Sequence, residues 1–307
     1  MQAIVVTRYG GPEVLAAIER PTPRPGRGQV VITVAAAAVN PVDHAIRAGY
    51  LDHFVAGRLP VGLGWDVAGR IEAVGEGVDD VIVGQPVIGL LDDVLAPAAA
   101  YATHALIDRA ALTPVPEGTD LVAAATLPLN ALTADQALDL LALAPGQSLL
   151  VTGAGGGLGE YTVALGAARG LKVIGLGRPR DEDDVLAAGA ARFVRDVAEL
   201  DPVDGVLDAA QLGPGALARV RDGGTFIAVN DPAQPAPERD VRVTTVHVRA
   251  DGARLARLWR EVEAGRLRLR VAATYPLAEA GAAQERLAAG GVRGRLVLLP
   301  GEGAASA

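Results

Sequence analysis

The sequence predicts an α/β chain of two domains, a strand-rich domain and a parallel, doubly wound one inserted into it. Three observations carry this reading. Residues 1–115 are short β-branched runs punctuated by glycine and proline. From residue 119 onward, apolar strands alternate with alanine- and leucine-rich helices. Between residues 148 and 159, SLLVTGAGGGLG, an apolar strand feeds a glycine cluster that opens a helix.

Taken in order, residues 3–7, 29–39, 66–75 and 81–90 read as strands, the first two bracketing the turn-rich stretch from Pro21 to Gly26. Thr119-Asp120 is a helix cap, and the long apolar segment 121–143 is broken at Pro128. Strands are then expected at 148–152, 171–176, 203–209, 223–229 and 241–249, the last counted as the sixth of the sheet. Helices are expected at 157–169, 181–189, 214–221 and 251–264. The tail returns to strand (269–274), helix (277–289) and strand (294–299), and completes the first domain. The βαβα rhythm implies a parallel sheet with helices on both faces.

Composition excludes several function classes. At 307 residues the chain can build two cores, and no apolar run approaches the ~18 residues of a membrane span. The short apolar stretch at the N-terminus lacks the form of a signal peptide, so the expectation is a cytoplasmic protein with no membrane partner. A net charge of −8 argues against a nucleic-acid surface. Lys172 is the only lysine, which with the alanine richness reads as coding bias. The alternation Arg266-Leu267-Arg268-Leu269-Arg270 fits a strand with one wet face. Zero cysteine removes disulfides, thiolate nucleophiles and cysteine-ligated zinc. The four histidines, at 44, 53, 104 and 247, show no helical metal spacing.

The glycine cluster carries the chemistry. Glycines let a backbone approach a pyrophosphate, and the following helix N-terminus presents N–H groups to it. The dinucleotide pattern G-x-G-x-x-G is met in the register 154–159 with Ala154 in the first glycine position. Placement at the first strand-to-helix turn of a doubly wound sheet makes this a dinucleotide site, with Gly153 in the cluster that turns the chain. The second strand ends Gly177-Arg178-Pro179-Arg180, with no acid until Asp181, past a proline. Arginine suits a 2′-phosphate. NADP(H) is therefore the expected cofactor, with Arg178 as first contact and Arg180 as second.

A set of ordered segments then points to a family. YGGPEVL (9–15), PTPRPGRGQVVITVAAAAVNPVDHAIRAGY (21–50), GWDVAGRIEAVGEGV (64–78), LPLNALTADQAL (127–138) and VTGAGGGLG (151–159) are followed by VEAGRL (262–267), PLAEAGAAQERL (276–287) and VRGRLVL (292–298). Over nearly its full length the chain resembles the medium-chain dehydrogenase/reductase superfamily, in its zinc-free quinone oxidoreductase (zeta-crystallin-like) branch. The resemblance implies a GroES-like β-barrel catalytic domain from residues 1–118 and 265–307, and a Rossmann NADP(H)-binding domain from 119–264. It also implies absent zinc: Asn40 stands where zinc relatives carry a cysteine, and Gly64-Trp65-Asp66 stands for their Gly-His-Glu.

By the same resemblance, Asn40 lines the nicotinamide or substrate side of the active cleft, Thr133 lies near the nicotinamide or its ribose, and Gly156, Gly157, Leu158 and Gly159 cover the pyrophosphate. Asn230, Arg293 and Arg295 match positions that commonly face cofactor. Asp43 reads either as a helix cap or as a cleft residue, and Trp65 with Asp66 either as junction packing or as substrate contact. Tyr50 lies near the expected substrate mouth, and His44 is either a cleft or a surface residue. Ala45, Asn130 and Asp135 depart from the family's usual residues and imply a wider or more polar pocket.

The implied reaction is hydride transfer from NADPH to a quinone or α,β-unsaturated carbonyl acceptor. A conjugated acceptor stabilises its own enolate and needs no Lewis acid, only proximity and oxyanion donors. Asn40 or Asn130 supplies an amide donor, and Tyr50 relays a proton. The alternatives are an NADPH-binding sensor or structural protein with little turnover, and a biosynthetic tailoring reductase. A homodimer through the strand at 241–248 is expected by analogy.

Overall fold

The computed structural model describes residues 1–55, 57–93 and 99–301. The chain divides into two compact units. Unit 1 comprises residues 1–129, 250–260 and 268 onward, and unit 2 comprises residues 130–249 and 261–267. Two of the four divisions, 129/130 and 260/261, fall inside helices, and the other two, 249/250 and 267/268, fall in loops.

Unit 1 opens with strands β1 (Gln2–Val6), β2 (Leu15–Glu19) and β3 (Gln29–Ala38) and helices α1 (Pro41–Ala48) and α2 (Asp52–Val55). Strands β4 (Val61–Gly62), β5 (Asp66–Val74), β6 (Pro86–Leu90), β7 (His104–Asp108) and β8 (Leu112–Pro114) and helix α3 (Leu121–Ala124) follow. The expected strand at 81–90 is half that length, because residues 81–85 form a turn with Ile82 and Val83 in solvent. Asp120 caps α3 by accepting from the Val122 and Ala123 amides. That short helix packs on β3, β5 and β6, which places it with the barrel rather than with the second domain.

Helix α4 (Pro128–Leu141) leads into unit 2, which contains β9 (Ser148–Thr152), α5 (Gly157–Ala168), β10 (Lys172–Leu176) and α6 (Glu182–Ala187). Next come β11 (Arg192–Val194), β12 (Val203–Asp208), α7 (Pro214–Leu217), β13 (Val220–Ala228), β14 (Arg242–Thr245) and α8 (Gly252–Glu263). The sheet is six-stranded and parallel, in the order β11-β10-β9-β12-β13-β14. Its strands are apolar runs because both faces are covered: Leu149, Leu150, Val151, Val206, Leu207, Phe226 and Ile227 are all fully buried. Strand β11 is absent from the sequence reading, since three residues are too few to show a period. Strand β14 ends at Thr245, four residues before the expected end.

The chain returns to unit 1 through β15 (Val271–Pro276), α9 (Ala280–Ala288) and β16 (Arg295–Leu299). Strand β16 pairs antiparallel with β3, closing a sheet of order β15-β16-β3-β5-β6-β8 with β7 on β3. The arginine alternation at 266–270 is not a strand; β15 begins at Val271. Together these elements form the GroES-like unit and the Rossmann unit of an α/β protein. Among the described residues no helix is long and apolar enough to cross a membrane.

Candidate functional site

In unit 2 the glycine cluster sits at the carboxyl end of β9, beside the point where strand order reverses between β9 and β12. Gly153 has φ +62°, a left-handed conformation that side chains resist. A Cβ on Gly159 would lie 2.2 Å from the Gly153 carbonyl oxygen, so only glycine lets α5 start this close to the turn. No side chain caps α5, and its first-turn N–H groups are left for a ligand. Ala154 is fully buried, and a Cβ on Gly175 of β10 would stand 3.0 Å from its methyl. The missing first glycine is thus compensated by a glycine on the neighbouring strand.

Beyond β10, Arg178 and Arg180 are exposed. A 3₁₀ turn at Pro179–Asp181 folds the chain back, so that Asp181 is buried against Gly155 of the glycine loop. Sequence reasoning dismissed this acid as lying past a proline. Asn230, at the carboxyl edge of β13, accepts from the Ala233 amide at 2.8 Å and caps the turn that follows.

Helix α4 presents Asn130 and Thr133 three residues apart on one face. Asn130 is buried, and its Nδ2 donor has no hydrogen-bond partner. A buried unsatisfied amide costs stability and needs a reason. Asp135, expected to make a pocket more polar, instead forms an ion pair with Arg169, which also reaches Asp139 at 2.8 Å.

Unit 1 gathers a buried polar cluster. Asn40 follows β3 at the N-cap of α1, whose Asp43 carboxylate accepts from the Asn40 main-chain N–H at 2.8 Å. The Asn40 amide is fully committed: Nδ2 donates to Ala38 O (3.2 Å) and Asp66 Oδ2 (2.8 Å), while Oδ1 accepts from Arg295. It therefore has no amide hydrogen left for an oxyanion. Asp66 also accepts from the Leu129 amide at 2.6 Å and lies 3.8 Å from the Arg295 guanidinium. Burial raises the Asp66 carboxyl, against the pull of Arg295, Asn40 and Leu129.

Asp43 is a cap, and more. Its Oδ1 accepts from the Gly64 amide (2.9 Å), and its Oδ2 from the Tyr101 hydroxyl (3.0 Å). Burial pushes this carboxyl up to about 7; the three donors oppose the rise and Asp66 adds to it. Gly64 has φ +96°, and a Cβ there would lie 2.4 Å from the Tyr101 ring. Trp65 packs against the unit 1 core. Tyr50 is 70% exposed, its ring 6.4 Å from that of His44. Arg293 is exposed. Tyr101 escapes sequence reasoning, and Asp66 is read there only as junction packing or substrate contact, since no local pattern links residues so far apart.

Two family models match: an alcohol dehydrogenase GroES-like domain over residues 26–117 and a zinc-binding dehydrogenase over residues 181–298. The quinone oxidoreductase of Rattus norvegicus is 36% identical over 212 residues, 68% of this chain and 63% of the relative. The chain thus spans about three fifths of the length of that curated relative. A 2-haloacrylate reductase of a Burkholderia species is 29% identical over 98% of this chain and 99% of its own. Among solved structures, the quinone oxidoreductase of Coxiella burnetii superposes with a TM-score of 0.87 at 28% identity, covering 97% of this chain and 99% of that one. A mycobacterial protein complexed with NADPH gives 0.81 at 27% identity, covering 98% and 100%.

The residues do not fit the zinc that one family description implies. Asn40 has spent its amide, Trp65 offers no ligand atom, and the Asp66 carboxylate is taken by Asn40, Leu129 and Arg295. Among the described residues no group of three His, Cys, Asp or Glu side chains is arranged to hold a metal. A dinucleotide does fit, because the first turn of α5 has no side-chain cap and its glycine turn lets main-chain N–H groups approach a phosphate.

Proposed function

Because the chain belongs to the medium-chain dehydrogenase/reductase superfamily, on its quinone oxidoreductase branch, we propose that it reduces quinones or α,β-unsaturated carbonyl compounds with NADPH and without zinc. The observation that carries the acceptor reading is the unpartnered Nδ2 of Asn130, a buried donor that a substrate carbonyl oxygen would satisfy. Bound NADPH supplies the hydride.

The chain's own residues do the rest. Gly153, Gly156, Gly157, Leu158 and Gly159 hold the pyrophosphate on main-chain N–H groups, and Arg178 with Arg180 takes the 2′-phosphate. Thr133 and Asn230 orient the nicotinamide side. Arg295 donates to Asn40 and Val39 through Nη2, and its guanidinium supplies positive charge for a cofactor anion. Arg293 adds a second cation. Asn40 acts by fixing Arg295 and Asp66 rather than by donating to substrate. Tyr50, with its hydroxyl in solvent, relays a proton to the reduced product.

Oxidation of NADPH followed with naphthoquinones, enones, 2-haloacrylates, aldehydes and ketones tests this. Turnover with conjugated acceptors alone is expected. Tight NADPH binding without turnover would return the sensor reading, and zinc-stimulated alcohol oxidation would end the zinc-free one. One observation favours NADH as the cofactor: the Asp181 carboxylate against Gly155 stands where ribose hydroxyls could donate to it. Comparing NADPH and NADH affinities decides between them. The reading includes a homodimer through β14, the free edge of the unit 2 sheet, and sedimentation as a monomer at micromolar concentration would remove it.

A further inference from the structure

Thr152 and Asp208, the last residues of β9 and β12, are fully buried and stand in register on neighbouring strands. The Thr152 hydroxyl donates to Asp208 Oδ1 at 2.6 Å and accepts from the Ala210 amide at 2.9 Å. Asp208 Oδ1 also accepts from the Leu212 amide (3.1 Å), and Oδ2 from the Gly213 amide (2.7 Å). One carboxylate and one hydroxyl thus hold the 209–213 loop by its main chain. Thr152 leads directly into Gly153, so the same pair ties that loop to the glycine turn. The approach is close: a Cβ on Gly153 would lie 3.4 Å from both the main-chain nitrogen and the methyl of Ala210. Sheet order reverses between β9 and β12, and the loops leaving their carboxyl ends wall the crevice where an open α/β sheet takes its ligand.

The clamp fixes an unusual residue. Gln211 has φ +58°, a left-handed conformation that few residues other than glycine adopt. Its side chain is exposed and, among the described residues, makes no hydrogen bond or ion pair. Glycine takes this conformation without strain, as Gly213 does two positions on at φ +57°. The short helix α7 that follows accounts for the held Leu212 and Gly213 amides, but it does not account for a glutamine at 211. Strain of this kind persists at ligand clamps, and the fold gives it no other use.

We propose that Gln211 is a dinucleotide contact on the crevice wall beside the glycine turn, and that Asp208 and Thr152 are the positioning residues that hold it there. For the identity of the ligand, this rests on the dinucleotide reading. The Gln211 amide offers two N–H donors and an acceptor oxygen, which suit ribose hydroxyls and diphosphate oxygens. Both groups are common to NADPH and NADH, so Gln211 adds affinity for the two alike, unlike an arginine that reads the 2′-phosphate. An ionised Asp208 is acceptor-only and matches the three donors that converge on it. Asparagine would set its own N–H groups against one of them.

Calorimetric titration of the full chain with NADPH, NADH and ADP-ribose tests the assignment, beside thermal unfolding and amide hydrogen exchange. Gln211→Gly relieves the left-handed strain and does not lower the melting temperature, while affinity for all three ligands falls about fivefold. Asp208→Asn and Thr152→Val each loosen the loop: exchange at the Ala210, Leu212 and Gly213 amides quickens about tenfold or more, and affinity falls. Thr152→Ser returns the hydroxyl and recovers the affinity that Thr152→Val loses. In the Asp208→Asn background, Gln211→Gly costs little further affinity, because the side chain is no longer held in place. Should Asp208→Asn not fold, Thr152→Val serves in the same cycle. Unchanged affinity in Gln211→Gly, a loss confined to NADPH, or fully additive losses in the cycle overturns the proposal. Failure of the parent chain to bind any of the three ligands removes the dinucleotide reading and the role of Gln211 with it, while exchange at those three amides still judges the clamp.

Discussion

Arg295 and Asn40, 255 positions apart, meet side chain to side chain: the guanidinium donates to the Asn40 carbonyl oxygen, and the same Nη2 reaches Val39 O at 3.1 Å. The contact ties the end of β3 to the start of β16, two strands that pair antiparallel through Val297–Ala38 and Leu298–Ala37. It also leaves Asp66 between an amide and a cation.

Removing the cation strands that carboxylate. Arg295→Met is expected to lower unfolding free energy by about 3 kcal/mol or more at neutral pH, because Asp66 stays buried without its counter-charge. The loss shrinks in acid, where Asp66 takes a proton. Equal losses at pH 5 and pH 8 in urea unfolding would contradict the assignment.

The pH dependence of stability follows from Asp43. Its folded value of about 7 lies above the ordinary 3.8, so the folded chain holds a proton that the unfolded chain has released. Stability from this group is full below pH 4, falls between about 4 and 7 by at most roughly 1.4 kcal/mol per pH unit, and is level above. Asp43→Asn is expected to flatten that slope in denaturant titrations. A slope unchanged in the variant would assign it elsewhere.

Gly159→Ala tests the cradle. A methyl 2.2 Å from the Gly153 oxygen forces the turn to move, which costs roughly 1–3 kcal/mol and weakens dinucleotide binding at least tenfold. Binding unchanged in calorimetry would place the pyrophosphate elsewhere.

Arg178→Ala separates the cofactors. NADPH affinity is expected to fall about tenfold, as one charge-assisted contact is lost, with NADH unaffected. Equal changes for both would assign the 2′-phosphate to other residues and strengthen the case for Asp181.

Asn130→Leu should divide stability from rate. Deleting a buried donor that has no partner leaves the melting temperature the same or higher, while kcat falls on the order of a hundredfold. A destabilised variant with normal kcat would make Asn130 a structural residue.

Local chemistry made much of this legible in the sequence. Periodicity located β9, α5 and β10 to within a residue or two, because strands buried on both faces read as continuous apolar runs. Asp120 was readable as a cap and Pro128 as a break. Strand β11 was not, since three residues carry no period, and the 81–85 turn was overread because Val81, Ile82 and Val83 look like strand residues even though Ile82 and Val83 end in solvent. Asp135 misled for a related reason: its Arg169 partner lies 34 positions away.

The sequence by itself determined the strand-rich part and the parallel sheet, the glycine turn and the family, because each is written in short-range pattern and in the order of segments. Only the tertiary structure decided that the Asn40 amide is spent and the Asn130 Nδ2 is not, that Asp181 returns to the glycine loop, and that Tyr101, Asp43, Asn40 and Arg295 join in one hydrogen-bonded chain. Which donor meets which acceptor depends on where distant segments come to rest, and burial, which gives each such pairing its energetic weight, exists only once the chain has folded.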